Sequence, residues 1–251
     1  MKILISNSAK SWGGNELWSS SLANDFAERG HEVFFAFRTD IFKGRLSKRV
    51  NKIRLSFKHE FDFKTRREIF KISEACGIDL FLATKRKEYY ILGKCGRSIN
   101  IPVVFRLGIH RKIPRYDIPQ RYVFRYFPDA VIVNAQAIKD ELINDKLCPE
   151  EKIHVIYNGY DFPAEYESYQ NGLPSGKFVF AAAGRLSSQK GYDLLLQACE
   201  ILKKRTNNFF LAIAGEGPEH EEYQNFINSR NLQENVSLTG RIDNTRGFFA
   251  A

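Results

Sequence analysis

The chain has 251 residues, 43% of them apolar and 14% aromatic, and a formal net charge of +9. This composition suits one large packed domain or two modest ones and excludes a disordered tail. No window holds the roughly 18 to 20 apolar residues of a membrane span.

The charge is uneven. Residues 43–125 hold 22 Lys and Arg against 7 Asp and Glu, so this stretch carries +15 and the remainder −6. Such a basic surface suits an anionic partner, whether nucleic acid, acidic lipid headgroups or a phosphorylated substrate, or else is a solvated face. The four cysteines (Cys76, Cys95, Cys148, Cys199) form no CxxC pair and have no nearby histidine. They are expected to be reduced and mostly buried, with no metal site. The N-terminus, MKILISNSAKSW, turns polar after a short apolar run, so it reads as a buried strand rather than a signal peptide, and the expected location is cytoplasmic.

Strand-length apolar runs alternate with helical patterns. KILISN (2–7) reads as a strand, SWGGNE as a glycine turn, and residues 16–30 as a helix closed by Gly30, where a positive φ is expected. HEVFFAFR (31–38) and NKIRLSF (51–57) read as strands. KTRREIFKISEACG then forms a helix with Ile69, Ile72 and Cys76 on one face, closed by Gly77. DLFLAT (79–84) is a strand, RKEYYILGKCGR a helix, and PVVFRLG (102–108) a strand with Pro102 at its start, where a missing N–H is tolerated. IPQRYVFRYF is helical, DAVIVNA a strand, AIKDELIND a helix and IHVIYNG a strand. Near-continuous apolar strands separated by helices imply a parallel sheet covered on both faces. Residues 1–163 are thus expected to form one Rossmann-like α/β domain.

Proline, glycine and polar residues mark 164–176 as a linker. The alternation then restarts over 177–251, with three strands and two helices before FFAA begins another element. This is about half of a second doubly wound unit.

Ligands of open parallel sheets bind outside the carboxyl ends of the strands. In AAAGRLSSQKGYDLLLQA, Gly184, Arg185, Lys190 and Gly191 lie in the turn between a strand and a helix. A guanidinium fork, an ammonium and a helix N-terminus suit a diphosphate without a metal; the alternative is a surface turn with two ordinary cations. The string does not match the nucleotide-binding pattern GxxxxGK followed by Ser or Thr. AGEGPEHEEY is an incomplete GxGxxG and weak support for a dinucleotide. Gly13 and Gly14 permit close approach of a ligand to the backbone or simply make a tight turn. His110, after PVVFRLG, is the histidine best placed for a cleft, or a surface or packing residue. Asn158, Gly159 and Asp161 suit a hinge or a capping turn.

Together, WGGNE, IHVIYNGYD, AAAGRLSSQKGYDLLLQA, LAIAGEGPE and VSLTGR resemble, in the same order, the motifs of the group 1 (family 4) glycosyltransferases of GT-B architecture. The resemblance implies two Rossmann-like domains, the second incomplete, and retaining transfer of a hexose from a UDP- or GDP-sugar to a glycan or lipid-linked acceptor, with a role in surface polysaccharide synthesis. It implies that Arg185 and Lys190 hold the donor diphosphate, that Gly13 and Gly14 approach the donor phosphates or the acceptor, and that Gly184, Gly215, Glu216 and Arg241 lie near the nucleotide. No cofactor or metal is implied.

The family often carries a histidine about six residues after the proline that opens the PVVF-like strand. Here that place is Gly108, and His110, two residues on, is the candidate for catalytic contact with the donor sugar. The family's E-x7-E region is absent; it should follow FFAA, so the chain is expected to be C-terminally truncated, with little or no transfer activity. The basic first domain suits an anionic membrane surface at the inner face, and no nucleic acid is expected. The alternatives are a sugar-nucleotide epimerase and a non-catalytic binding remnant that keeps nucleotide-sugar or anionic-surface affinity.

Overall fold

In β1 (Lys2–Asn7), Ile3 and Ile5 join one apolar cluster and Leu4 another, on opposite faces of a sheet. The same alternation continues in β2 (Glu32–Phe37), where Val33 and Phe35 face one cluster and Phe34 and Ala36 the other. This period of two, with apolar residues at both phases, is what a strand buried on both sides requires. The computed structural model describes residues 1–109, 113–159, 173–242 and 244–250. The chain divides into two units, Met1–Gly159 and Tyr160–Ala251.

In the first unit, α1 (Gly14–Glu28) links β1 to β2, and β3 (Asn51–Arg54) follows. Next come α2 (Phe63–Cys76), β4 (Leu80–Ala83), α3 (Arg86–Ile99) and β5 (Val103–Leu107). The unit closes with α4 (Ile118–Tyr126), β6 (Ala130–Val133), α5 (Gln136–Asn144) and β7 (Ile153–Val155). The seven strands are all parallel in the order β3-β2-β1-β4-β5-β6-β7. The direction of winding therefore reverses between β1 and β4, and a crevice is expected at their carboxyl ends. Ala23 and Ala27 of α1 pack on one face. Ile69, Tyr89, Val123 and Ile138, one from each of α2 to α5, pack on the other.

Gly30 (φ 85°) and Gly77 (φ 65°) adopt the left-handed conformation expected after α1 and α2. The expected strand 51–57 stops at Arg54. Leu55 N–H still reaches Phe37 O at 2.9 Å, but the chain then turns around the Asp62 carboxylate. That carboxylate accepts from Ser56 Oγ (2.6 Å), Lys58 N (2.8 Å) and Thr65 N (3.1 Å), the last as the N-cap of α2. Burial opposes ionisation there, but these bonds outweigh it and hold the Asp62 carboxyl well below its ordinary value. The expected strand 153–159 ends at Val155; Ile156 N–H makes the last ladder bond to Val133 O at 2.8 Å, where β6 itself ends.

The second unit contains β8 (Phe178–Ala183), α6 (Tyr192–Lys203) and β9 (Phe209–Ala214). It continues through α7 (His220–Ser229) and β10 (Val236–Gly240) to α8 (Thr245–Ala250), the element that FFAA was expected to begin. Its parallel strands run β10-β9-β8. Central β9 is covered on both faces: Leu211 and Ile213 pack with Leu196 and Ile227, and Ala212 and Ala214 with Phe248. β8 is at the edge, and Phe178 and Phe180 are exposed. Of the expected linker 164–176, residues 164–172 lie outside the described residues.

Candidate functional site

At the mouth of the second sheet, Gly184 N–H donates to Ala214 O and Gly215 N–H to Gly240 O, each at 2.8 Å. These bonds carry the ladder one residue beyond the strands. The loops are then joined by Leu186 N–H to Glu216 O (3.0 Å) and Glu219 N–H to Leu186 O (3.3 Å), with the Leu186 side chain fully buried. Contact this close needs glycine. A Cβ at Gly215, where φ is 148°, would lie 1.9 Å from Gly184 O, and one at Gly217 would lie 2.0 Å from Leu186 O.

This fixed backbone positions the predicted cations. Arg185 follows Gly184 directly, and Ser188–Lys190 form a single 3-10 turn before α6. Both Arg185 and Lys190 are exposed, and neither side chain has a partner among the described residues. The Lys190 stem runs beside the strand end, since a Cβ on Gly184 would lie 3.6 Å from Lys190 Cε. Exposed Glu216 follows Gly215 at the end of β9, and exposed Arg241 follows Gly240 at the end of β10. The second unit therefore brings Gly184, Arg185, Lys190, Gly215, Glu216 and Arg241 to the carboxyl ends of its three strands. Arg185 and Lys190, which have no carboxylate partner among the described residues, lie beside the N–H groups opening α6 and can hold a diphosphate.

The first unit has its own site at the β1/β4 switch. Fully buried Glu88, in the first turn of α3, accepts from Ser8 N at 2.6 Å and Thr84 N at 3.0 Å, clamping the ends of β1 and β4 together. Burial raises its carboxyl above the ordinary value, and these hydrogen bonds offset part of that rise. Beside the clamp lies an open cavity of about 520 Å³. Its lining includes Lys10, Arg38, Lys85, Arg86, Lys87 and Arg106 and, among the described residues, no Asp or Glu.

Arg106 is only 4% exposed. It donates to Asn15 Oδ1 at 2.7 Å and Asn158 Oδ1 at 3.3 Å, and its guanidinium lies 4.4 Å from the centre of the Trp18 ring. No carboxylate pairs with it among the described residues. Burial lowers its pKa from the ordinary value; Tyr89 and Glu16 act the other way. Lys87 is likewise lowered, by burial first and then by the charges of Arg38 and Lys10.

Gly13 is extended (φ −171°) and caps α1. Gly14 opens the helix, and a Cβ there would meet nothing within 4 Å. Their turn supplies Asn15 to Arg106. His110 lies outside the described residues. At Gly108 a Cβ would lie 2.0 Å from Arg106 Nη1, so that position is empty of side chain because a guanidinium fills the space. Sequence reasoning missed Arg106 and Glu88. The available signals were a charged residue inside the apolar run PVVFRLG and an acid in the first turn of a helix that follows a strand.

Two family models match the chain: Glycosyltransferase Family 4 over residues 12–162 and Glycosyl transferases group 1 over residues 164–247. An uncharacterized glycosyltransferase of Methanocaldococcus jannaschii is 29% identical over 149 residues, covering 56% of this chain and 36% of that protein. The lipopolysaccharide core biosynthesis glycosyltransferase LpsD of Rhizobium meliloti is 32% identical over 78 residues, covering 31% of this chain and 22% of LpsD. These matches therefore span well under two thirds of either relative. Among solved structures, Anabaena HepE in complex with UDP and glucose superposes with a TM-score of 0.77 at 19% identity, covering 100% of this chain and 72% of HepE. At that identity the likeness shows the fold alone: two Rossmann-like units of the GT-B type.

Proposed function

Because the chain belongs to the group 1, family 4 glycosyltransferases, we propose that it works in retaining transfer of a hexose from a UDP- or GDP-sugar to a glycan or lipid-linked acceptor, in surface polysaccharide synthesis. The observation that carries this reading is a pair of cations with no partner among the described residues, Arg185 and Lys190, beside the backbone-zipped glycine ends of β8 and β9. In the transfer, the bond from the sugar's anomeric carbon to the diphosphate oxygen breaks and negative charge grows on the leaving diphosphate. Arg185 takes two of its oxygens with parallel N–H donors, and Lys190 adds a point charge. The acceptor hydroxyl supplies the new bond and releases its proton. On this reading the two cations take the part that a metal would otherwise play. HepE's complex with UDP favours uridine as the base, and LpsD's part in lipopolysaccharide core biosynthesis favours a surface glycan as the product.

The test is calorimetry with UDP and GDP on the wild type and on Arg185→Ala and Lys190→Ala. Binding of one nucleotide, weakened in both variants, is the expected result. Unchanged affinity in both variants removes the reading.

A further inference from the structure

We propose that the cavity at the β1/β4 switch binds a phosphate-bearing compound, and that the acceptor of the transferase proposed above is therefore anionic rather than a neutral sugar. Only the word acceptor rests on that earlier reading; the binding site stands on the first unit alone.

Among the described residues, six cationic side chains and no acidic one line this cavity. Three of the six have their charge engaged elsewhere. Lys85 Nζ lies 2.8 Å from Glu16 Oε1, Arg86 pairs with Glu60 and, at 3.6 Å, with Asp117, and Lys87 donates to the carbonyls of Phe57 (3.1 Å) and Lys58 (2.9 Å). The other three are available. Lys10 and Arg38 have no side-chain partner among the described residues. Arg106 is buried, its two hydrogen bonds among the described residues go to neutral amides, and Glu16, the carboxylate that acts on it, is itself paired with Lys85.

A guanidinium has five N–H donors, and the described residues engage two of those of Arg106. A cation taken from water without a counter-charge is costly unless something returns the charge. The surrounding structure is built to hold it in place. Trp18 stacks on it, Asn15 and Asn158 fix its plane, Tyr89 Oη donates to its carbonyl at 2.7 Å, and glycine at position 108 leaves it room. Such expense on a side chain that closes no internal ion pair points to a ligand that supplies the anion. Two further cations with no partner among the described residues, exposed Lys10 and half-buried Arg38, suit a phosphate, whose charge and several oxygens accept from more than one donor at once. A neutral sugar would leave all three charges unmatched.

A soluble sugar phosphate and a lipid headgroup share this chemistry. The experiment has one arm for each and uses the whole chain. In the first, calorimetry measures glucose 6-phosphate and glucose. In the second, sedimentation measures binding to phosphatidylcholine vesicles with and without phosphatidylglycerol. Both are run on the wild type, on Lys10→Ala/Arg38→Ala, on Arg106→Met and on Arg185→Ala.

The expected result is binding of a phosphate-bearing probe but not its neutral counterpart, a loss of roughly tenfold or more in Lys10→Ala/Arg38→Ala, and no loss in Arg185→Ala. The arm that responds identifies the source. Circular dichroism checks that Arg106→Met folds; the double variant changes only residues outside the buried core and decides the matter if it does not. The proposal is overturned if neither phosphate-bearing probe binds, if Lys10→Ala/Arg38→Ala binds as tightly as the wild type, or if Arg185→Ala alone abolishes binding, since the anion then sits on the donor loop. Absence of UDP and GDP binding alongside retained glucose 6-phosphate binding would sink the donor reading and leave this one standing.

Discussion

A methyl group on Gly215 would lie 1.9 Å from the carbonyl oxygen of Gly184. The ends of β8 and β9 approach that closely at the place where Arg185 leaves the strand. Gly215→Ala must therefore push the two loops apart and also hold alanine at φ 148°. A loss of about 2–4 kcal/mol in the second unit is expected, read by denaturant melts, together with weaker UDP binding.

Gly14 gives the opposite result. Nothing lies within 4 Å of a Cβ there, and the residue is already helical. Gly14→Ala should stabilise the first unit by about 0.5–1 kcal/mol. If the turn serves as a platform for donor phosphates or acceptor, the same variant loses ligand affinity while its melting temperature rises. An unchanged affinity in a stabilised variant would reduce Gly13 and Gly14 to a tight turn.

For the donor loop, each charge-assisted hydrogen bond contributes about 1.5–3 kcal/mol. Arg185→Ala is expected to weaken UDP roughly tenfold to a hundredfold, with Lys190→Ala the milder change. Added EDTA should leave UDP affinity unaltered. A collapse of binding on chelation would show that the two cations do not suffice.

Two buried carboxyls give opposite pH signatures. Glu88 has its carboxyl raised above 4.5, chiefly by burial. Its contribution to stability is full below that ordinary value and is lost as pH rises through the folded one. Asp62 is held well below 3.8 by its hydrogen bonds in spite of burial. Its contribution is present above the ordinary value and is lost as pH falls. Asp62→Ala should cost about 1–2 kcal/mol at neutral pH through the lost cap, and the deficit should shrink in acid. Glu88→Gln, which breaks one arm of the strand clamp, should cost about 1–3 kcal/mol and flatten the decline of stability with rising pH. Urea melts from pH 3 to 8 of all three proteins measure both slopes.

Burial pushes the Cys95 thiol up to about 12 and that of Cys148 to about 11, and raises Cys199 as well. Cys76 alone of the four is not buried. Iodoacetamide at neutral pH should label Cys76 first and reach the others only on unfolding, since the thiolate is the reacting form. Peptide mapping by mass spectrometry reads the order.

The fold was legible because its strands are long in β-branched and aromatic residues and its helices end on glycine, as at Gly30 and Gly77. The positions of Arg185 and Lys190 could be read for the same reason: a strand, a glycine turn and a helix are local in sequence. What escaped was everything that depends on distant segments meeting. Glu88 gave no signal in sequence because its partners are the backbone amides of Ser8 and Thr84 at two strand ends. Arg106 is fixed by Asn15 and Asn158, 91 and 52 residues away. The early end of β3 depends on Asp62, a cap whose pull on Ser56 and Lys58 has no hydrophobic period to betray it.

The crowding of Arg106 against position 108 has a consequence for divergence. A guanidinium on one residue and any side chain on the other compete for the same volume. A lineage that gains a side chain at 108 must swing the guanidinium of residue 106 out of that space or shorten residue 106. The two positions should thus covary, a change at one being answered by a shift at the other.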